Sequence, residues 1–183
     1  MSKYSVDSHI TISELMLPSH ANFSGNIHGG YILSMMDQIA FACAAKYSGY
    51  YAVTASVDKV DFLAPIHVGE LVTMHASVNF VGCSSMVVGV RVESENIMTG
   101  EVKHCNSSYF TMVAKDKSGK PTQVPGLILD NEDSVRRFVR SAIRQQEGKV
   151  RRARFTPEAF KVEEHLELLA NYNVEVKLPE PIQ

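Results

Sequence analysis

A chain of 183 residues, 45% apolar and 21% charged, has a globular balance and can bury a sizeable core without metal or disulfide staples. A formal net charge of −2 argues against nucleic acid or an anionic membrane as the main partner. Cys43, Cys83 and Cys105 form no CxxC pair or Cys/His metal spacing, no apolar run reaches the roughly 18 residues of a membrane span, and the first residues lack a secretory h-region, so a reduced, cytoplasmic protein is expected.

Residues 9–16 read as a first strand with Ile10 and Ile12 on one face, and 17–25 as a loop. The segment 29–46, GGYILSMMDQIAFACAAK, is poor in β-branched residues and rich in Leu, Met and Ala, which favours helix. It is apolar almost all round, the mark of a buried helix, and Ser48 and Gly49 close it. Period-two patterning then takes over. Residues 51–57 are strand-like, and 61–66 are extended but broken by Pro65. In 71–81, Val72, Met74, Ala76, Val78 and Phe80 point one way and Thr73, His75, Ser77 and Asn79 the other. Met86, Val88, Val90 and Val92 form the inner face of the next strand, and 104–114 make a last long one. A helix buried on all sides needs something wrapped around it. A curved antiparallel sheet meets that need, so the fold class expected is α+β of the hotdog type, with edges and an outer face that call for at least a dimer.

The composition shifts after Pro125. Residues 1–127 are assigned to the hotdog domain and 128–183 to a charged, helical C-terminal extension. Within it, 131–147 read as an amphipathic helix carrying Val135, Phe138, Val139 and Ile143, with Arg136, Arg137, Arg140 and Arg144 at other positions. Residues 157–170 read as a further helix with Phe160, Leu166 and Leu169 as its contacts.

Three features carry chemistry. The stretch from Asn22 to Gly30, NFSGNIHGG, leads into the buried helix. A helix start exposes unpaired amides and the positive dipole end, and glycines let a carbonyl oxygen approach them as it gains charge. The same stretch also reads as a Gly-rich turn capped by Asn26, and spacing alone favours that simpler reading. Asp37 lies about two turns further on. A carboxylate buried without partners costs several kcal/mol, so it must face a polar cavity, a partner or a reaction, or else sit on a solvated stripe. Gly82-Cys83-Ser84-Ser85-Met86 offers hydroxyls and strand-end amides to a phosphate or pantetheine group, although an ordinary hairpin turn has the same pattern. His28 reads as a structural hydrogen-bonder, Ser34 lacks triad partners, and His67 and His104 lack ligand spacing.

The ordered series NFSGNIHGGYILSMMD, VTASVDKVDFLAPIHVGE, VGCSSM, TGE and AKDKSGKPTQVP resembles the acyl-CoA thioesterase family that includes the brain-type acyl-CoA hydrolases and their short bacterial relatives. The resemblance spans about two thirds of the chain. It implies a hotdog fold, a homo-oligomer that is a dimer or a hexameric trimer of dimers, and hydrolysis of acyl-CoA to fatty acid and free CoA. By similarity, Asn22 and Asp37 act together across a dimer interface. Asp37 serves as general base or nucleophile, and the amide of Gly29 or Gly30 polarises the thioester carbonyl. His28, Thr54, Val57, Lys59, Ser84, Ser85 and Lys120 are assigned to substrate and CoA binding. No metal and no separate cofactor is expected, CoA being part of the substrate. Cys83 stands where the family usually has an arginine, so the cationic contact to CoA phosphate is either missing or supplied elsewhere, for example by Lys59 or Lys120. The alternative reading is a non-catalytic hotdog module that binds acyl-CoA as a sensor or scaffold.

Overall fold

The computed structural model describes residues 2–154, 161–169 and 171–177. The chain divides into two units between Ala142 and Ile143. In the first, β1 (Ser2–Tyr4), a 3-10 turn (Ser5–Ser8), β2 (Ile10–Leu15) and a second 3-10 turn (Pro18–His20) precede the long helix α1 (Gly29–Ser48). Strands β3 (Tyr51–Val57), β4 (Leu71–Val81), β5 (Ser85–Asn96), β6 (Glu101–Lys115) and the short β7 (Gly126–Ile128) follow, and then helix α2 (Glu132–Arg154) begins.

Five strands form one antiparallel sheet in the order β2-β4-β5-β6-β3, with β2 and β3 at its edges. β1 and β7 pair in parallel as a separate ribbon that sequence patterning does not reveal, because three-residue strands carry no period. The sheet wraps α1. Ile32, Met35, Met36, Ile39, Ala40, Cys43, Ala44 and Tyr47 of the helix are buried against Val72, Met74, Val78, Val88, Val92, Phe110 and Met112 of the strands. Tyr47 also donates to the Gly126 carbonyl at 2.7 Å, and Lys3 Nζ donates to the Tyr47 carbonyl at 2.8 Å, tying the ribbon to the helix. Gly49 ends α1 in the left-handed conformation (φ 77°), its amide donating to the Ala45 carbonyl at 2.8 Å.

One expected alternation is corrected. In β4, Val78 pairs with Val88 but Phe80 pairs with Val87, so Asn79 is the extra residue of a bulge. Beyond it the faces swap. Phe80 turns outward to meet Phe138 of α2, with ring centroids 5.0 Å apart, while Val81 packs on the core.

α2 starts at a reciprocal cap: the Ser134 amide donates to Asn131 Oδ1 at 2.8 Å and the Asn131 amide to Ser134 Oγ at 3.2 Å. Phe138 finds a partner, whereas Val135 and Val139 stay exposed. The second unit holds the remainder of α2, a 3-10 turn (Val162–His165) and the one-turn helix α3 (Leu166–Leu169). Of the helix expected over 157–170, Phe160 lies outside the described residues, and the described part is this broken turn. Among the described residues, no helix is long and apolar enough to cross a membrane.

Candidate active site at the start and uncovered stripe of α1

The loop before α1 is clamped from three sides. The His20 ring stacks on Tyr31 at 4.1 Å, Tyr31 donates to Glu14 at 2.5 Å, and the Ile27 amide donates to the Ile66 carbonyl at 2.8 Å. Within the loop, Asn22 Oδ1 accepts from the amides of Ser24 (2.9 Å) and Asn26 (3.3 Å). Two N–H donors fix which end of the carboxamide is oxygen, so Nδ2 is the end left to bind outward. Asn22 therefore both shapes the turn and presents a donor.

The helix cap is His28, not Asn26: its Nδ1 accepts from the Gly30 amide at 3.0 Å. This narrows the expected carbonyl-polarising group. The Gly30 amide is engaged by the imidazole, and the amides of Tyr31 and Ile32 reach the His28 carbonyl. The Gly29 amide is the donor of this first turn without an acceptor among the described residues. Gly29 lies beneath the Phe62 ring, where an added Cβ would come within 3.2 Å of it. Phe62, Leu63, Pro65 and Ile66 line an apolar pocket of roughly 350 Å³ at this helix start. Nothing in sequence links Phe62 to a glycine so far upstream; only the fold brings the two together.

Asp37 sits on the one stripe of α1 that the chain leaves uncovered, with exposed Gly30, Ser34, Gln38 and Phe41 along it. Thr54 of β3 donates to Asp37 Oδ1 at 2.6 Å. The pairing register of β3 shifts just after Thr54, a bulge beside the carboxylate. Asp37, Thr54, Phe41 and Tyr51 line a groove of roughly 580 Å³ that is open to solvent. Phe41 and Tyr51 are exposed and pack on each other at 5.4 Å, next to the free edge of the sheet. No hydrogen bond joins Asn22 to Asp37 within one chain among the described residues.

The other expected residues fall into two groups. Val57 and Lys59 lie where β3 ends, near the start of α1, with Lys59 paired to Asp61 at 2.8 Å on the surface. Ser84, Ser85 and Lys120 lie at the opposite end of the sheet: the Ala114 amide donates to the Ser84 carbonyl at 2.9 Å, and the Lys120 turn follows Lys115, the partner of Tyr51. The seven residues of β3, roughly 20 Å of strand, separate the groups. No cluster of His, Cys, Asp and Glu able to hold a metal occurs among the described residues.

Cys83 is exposed in the turn before Ser84, whereas Cys43 and Cys105 are buried. Burial pushes the Cys43 thiol up to about 12 and also raises that of Cys105. A thiol-reactive dye is expected to label Cys83 alone in the native protein and all three cysteines after unfolding; rapid native labelling of Cys43 would contradict this packing.

Residues 24–101 match the family model described as the thioesterase superfamily. The chain is 43% identical to protein VdlD of Helicobacter pylori over 78% of its own length and 80% of that protein. It is 36% identical to the uncharacterized acyl-CoA thioester hydrolase YkhA of Bacillus subtilis, over 73% and 77%. Among solved structures, an apo hexameric acyl-CoA thioesterase superposes with a TM-score of 0.80 at 37% identity, covering 85% of this chain and 99% of that one. The acyl-CoA hydrolase of Staphylococcus aureus, solved with butyryl-CoA, CoA and CoA disulfide, gives 0.78 at 30% identity over 93% and 99%. Variants of it in which an asparagine, an aspartate or a threonine is changed to alanine have also been solved. The chain adopts the hotdog fold and belongs to the acyl-CoA thioester hydrolase family of the thioesterase superfamily.

Proposed function

We propose that this protein hydrolyses acyl-CoA thioesters to a free fatty acid and CoA. The site combines Asp37 and Thr54 of one copy with Asn22 and the Gly29 amide of a second, since about 12 Å of α1 separate Gly29 from Asp37 of the same chain. The observation that carries the reading is the Thr54–Asp37 hydrogen bond of 2.6 Å on the uncovered stripe of a buried helix, in a chain of this family. The three positions changed in the Staphylococcus aureus variants are spaced as Asn22, Asp37 and Thr54 are here, which supports assigning those residues to the site.

The chemistry follows from the donors and acceptors. Thr54 occupies Asp37 Oδ1 and fixes the carboxylate plane, leaving Oδ2 to take a proton from water. The Asn22 carboxamide, through its outward Nδ2, positions the thioester or the water. As water adds to the carbonyl carbon, negative charge grows on the carbonyl oxygen beside the Gly29 amide and the positive end of α1. Collapse of the tetrahedral adduct breaks the C–S bond. The proton held by Asp37 passes to the leaving thiolate, restoring the carboxylate. No cofactor enters this scheme.

His28 acts here by capping α1. Val57, Lys59, Ser84, Ser85 and Lys120 are proposed to hold CoA. Lys59 and Lys120 sit at opposite ends of β3, so the two serve one CoA only if different subunits contribute them. The exposed Phe41–Tyr51 pair and the free edge of β3 support a homo-oligomer, as do the hexameric relatives. Free cysteines support placing it in the cytoplasm.

Thiol release from a panel of acyl-CoAs tests the activity; no release at any chain length would defeat it. Thr54→Val keeps the side-chain shape and removes the donor. It is expected to lower kcat about tenfold or more with KM little changed, a loss appropriate to one hydrogen bond to a charged group. Unchanged kcat would remove Thr54 from the machinery.

A further inference from the structure

We propose that a phosphate-bearing small molecule binds in a second site, between the outer face of the sheet and the first turns of α2. This cleft has a volume of roughly 360 Å³ and lies on the sheet face opposite α1, away from Asp37. Arg91, Arg136, Arg137 and Arg140 line it, and no carboxylate does. The neighbouring acids offset only part of that charge. Glu93 holds Arg91 at 2.7 Å, and Asp133 is shared by Arg136 and Arg137, at 2.6 Å for the latter. Arg140 has no acidic partner among the described residues. A guanidinium fork carries five donors, so the paired arginines also keep N–H groups to offer.

The second observation is Asn79, the bulge residue of β4. It is 6% exposed and lines the cleft. Its Oδ1 accepts from Ser77 Oγ at 3.0 Å, but its Nδ2 has no acceptor. The side chain lies against Gly89, the mid-strand partner of Ser77, where any Cβ would overlap Nδ2. A strand-interior glycine weakens a sheet, and here it makes room for the Asn79 carboxamide, whose Nδ2 lies over it at the cleft. This Nδ2 is a donor available to an anionic oxygen in the cleft, while guanidinium groups bind the other oxygens. Donors converging from the sheet and from the helix suit a tetrahedral phosphate better than a planar carboxylate. The inference does not depend on the hydrolysis reading.

Calorimetric titration of the full-length protein with inorganic pyrophosphate tests it. Saturable binding is expected, weakened about tenfold or more by Arg140→Ala, an exposed change that leaves basal acyl-CoA hydrolysis unaltered. Asn79→Asp, which places a like charge at the same point, should weaken binding at least as much, and its thermal unfolding reports whether the fold survives. The absence of saturable binding, or affinity unchanged in Arg140→Ala, overturns the proposal. So does binding lost only in Lys59→Ala or Lys120→Ala, which would place the pyrophosphate at the CoA site instead.

Discussion

Asp37→Asn is expected to lower kcat/KM for acyl-CoA hydrolysis about a thousandfold, within the range for loss of a general base. The substitution is nearly isosteric. The Asn Oδ1 can still accept from Thr54, so the helix and the groove should stay as they are. The fall should therefore lie in kcat, with KM and thermal stability close to those of the parent protein. A variant that keeps its rate would mean that Asp37 is merely a solvated residue on an open stripe.

Lys103→Ala is expected to produce the largest loss of stability. Glu70 is only 7% exposed, and three donors reach its carboxylate: Lys103 Nζ at 2.8 Å, Ser94 Oγ at 2.5 Å and the His67 amide at 3.0 Å. Burial pushes this carboxyl up, but the hydrogen bonds from Lys103, Ser94 and His67 and the Lys103 charge together hold it below its ordinary value. Removing the lysine leaves a buried carboxylate without its cation. Such losses run to several kcal/mol, and the partial exposure of Lys103 puts this one near the lower end, about 2–3 kcal/mol at neutral pH.

The sign of its pH dependence follows. In the parent protein the folded-state pKa of Glu70 lies below the unfolded one, so its stabilisation is present above the unfolded value and is lost as pH falls through the folded value. In Lys103→Ala the uncompensated carboxylate takes up a proton more readily. The gap in stability between the two proteins should then narrow on acidification. Urea unfolding at pH 7 and pH 4 measures this; a gap that widens in acid would refute the assignment.

Much of the architecture was legible because strong periodic signals agreed with one another. The strands 51–57 and 71–81 fall on the expected residues, and α1 begins at Gly29 as its composition implied. Phe80 lies on the face opposite to the one alternation implies, because a bulge inverts alternation without leaving a mark in the pattern. The ribbon of β1 and β7 is too short to have a period. At the site, an aspartate in an apolar helix was conspicuous, as was a Gly-rich helix start. Their partners were not. Thr54 faces Asp37 because two elements pack, and Phe62 covers Gly29 because a loop folds back. The place of His28 beside the glycines implies a structural hydrogen bond, and its ring accepts one from the Gly30 amide. The chemistry tied to Asn22 came from resemblance. Its structure adds the reason one end of the carboxamide is left to act: its own loop engages the oxygen.

The composite site is tested most directly by mixing two inactive variants, Asn22→Ala and Asp37→Ala, under conditions that let protomers exchange. In a mixed dimer, one of the two sites receives an intact Asn22 and an intact Asp37 from different chains. Random pairing of equal amounts should then restore about a quarter of the parent hydrolytic rate. A mixture that stays as inactive as its components, although exchange of protomers is verified, would contradict a site shared between Asp37 of one subunit and Asn22 of another.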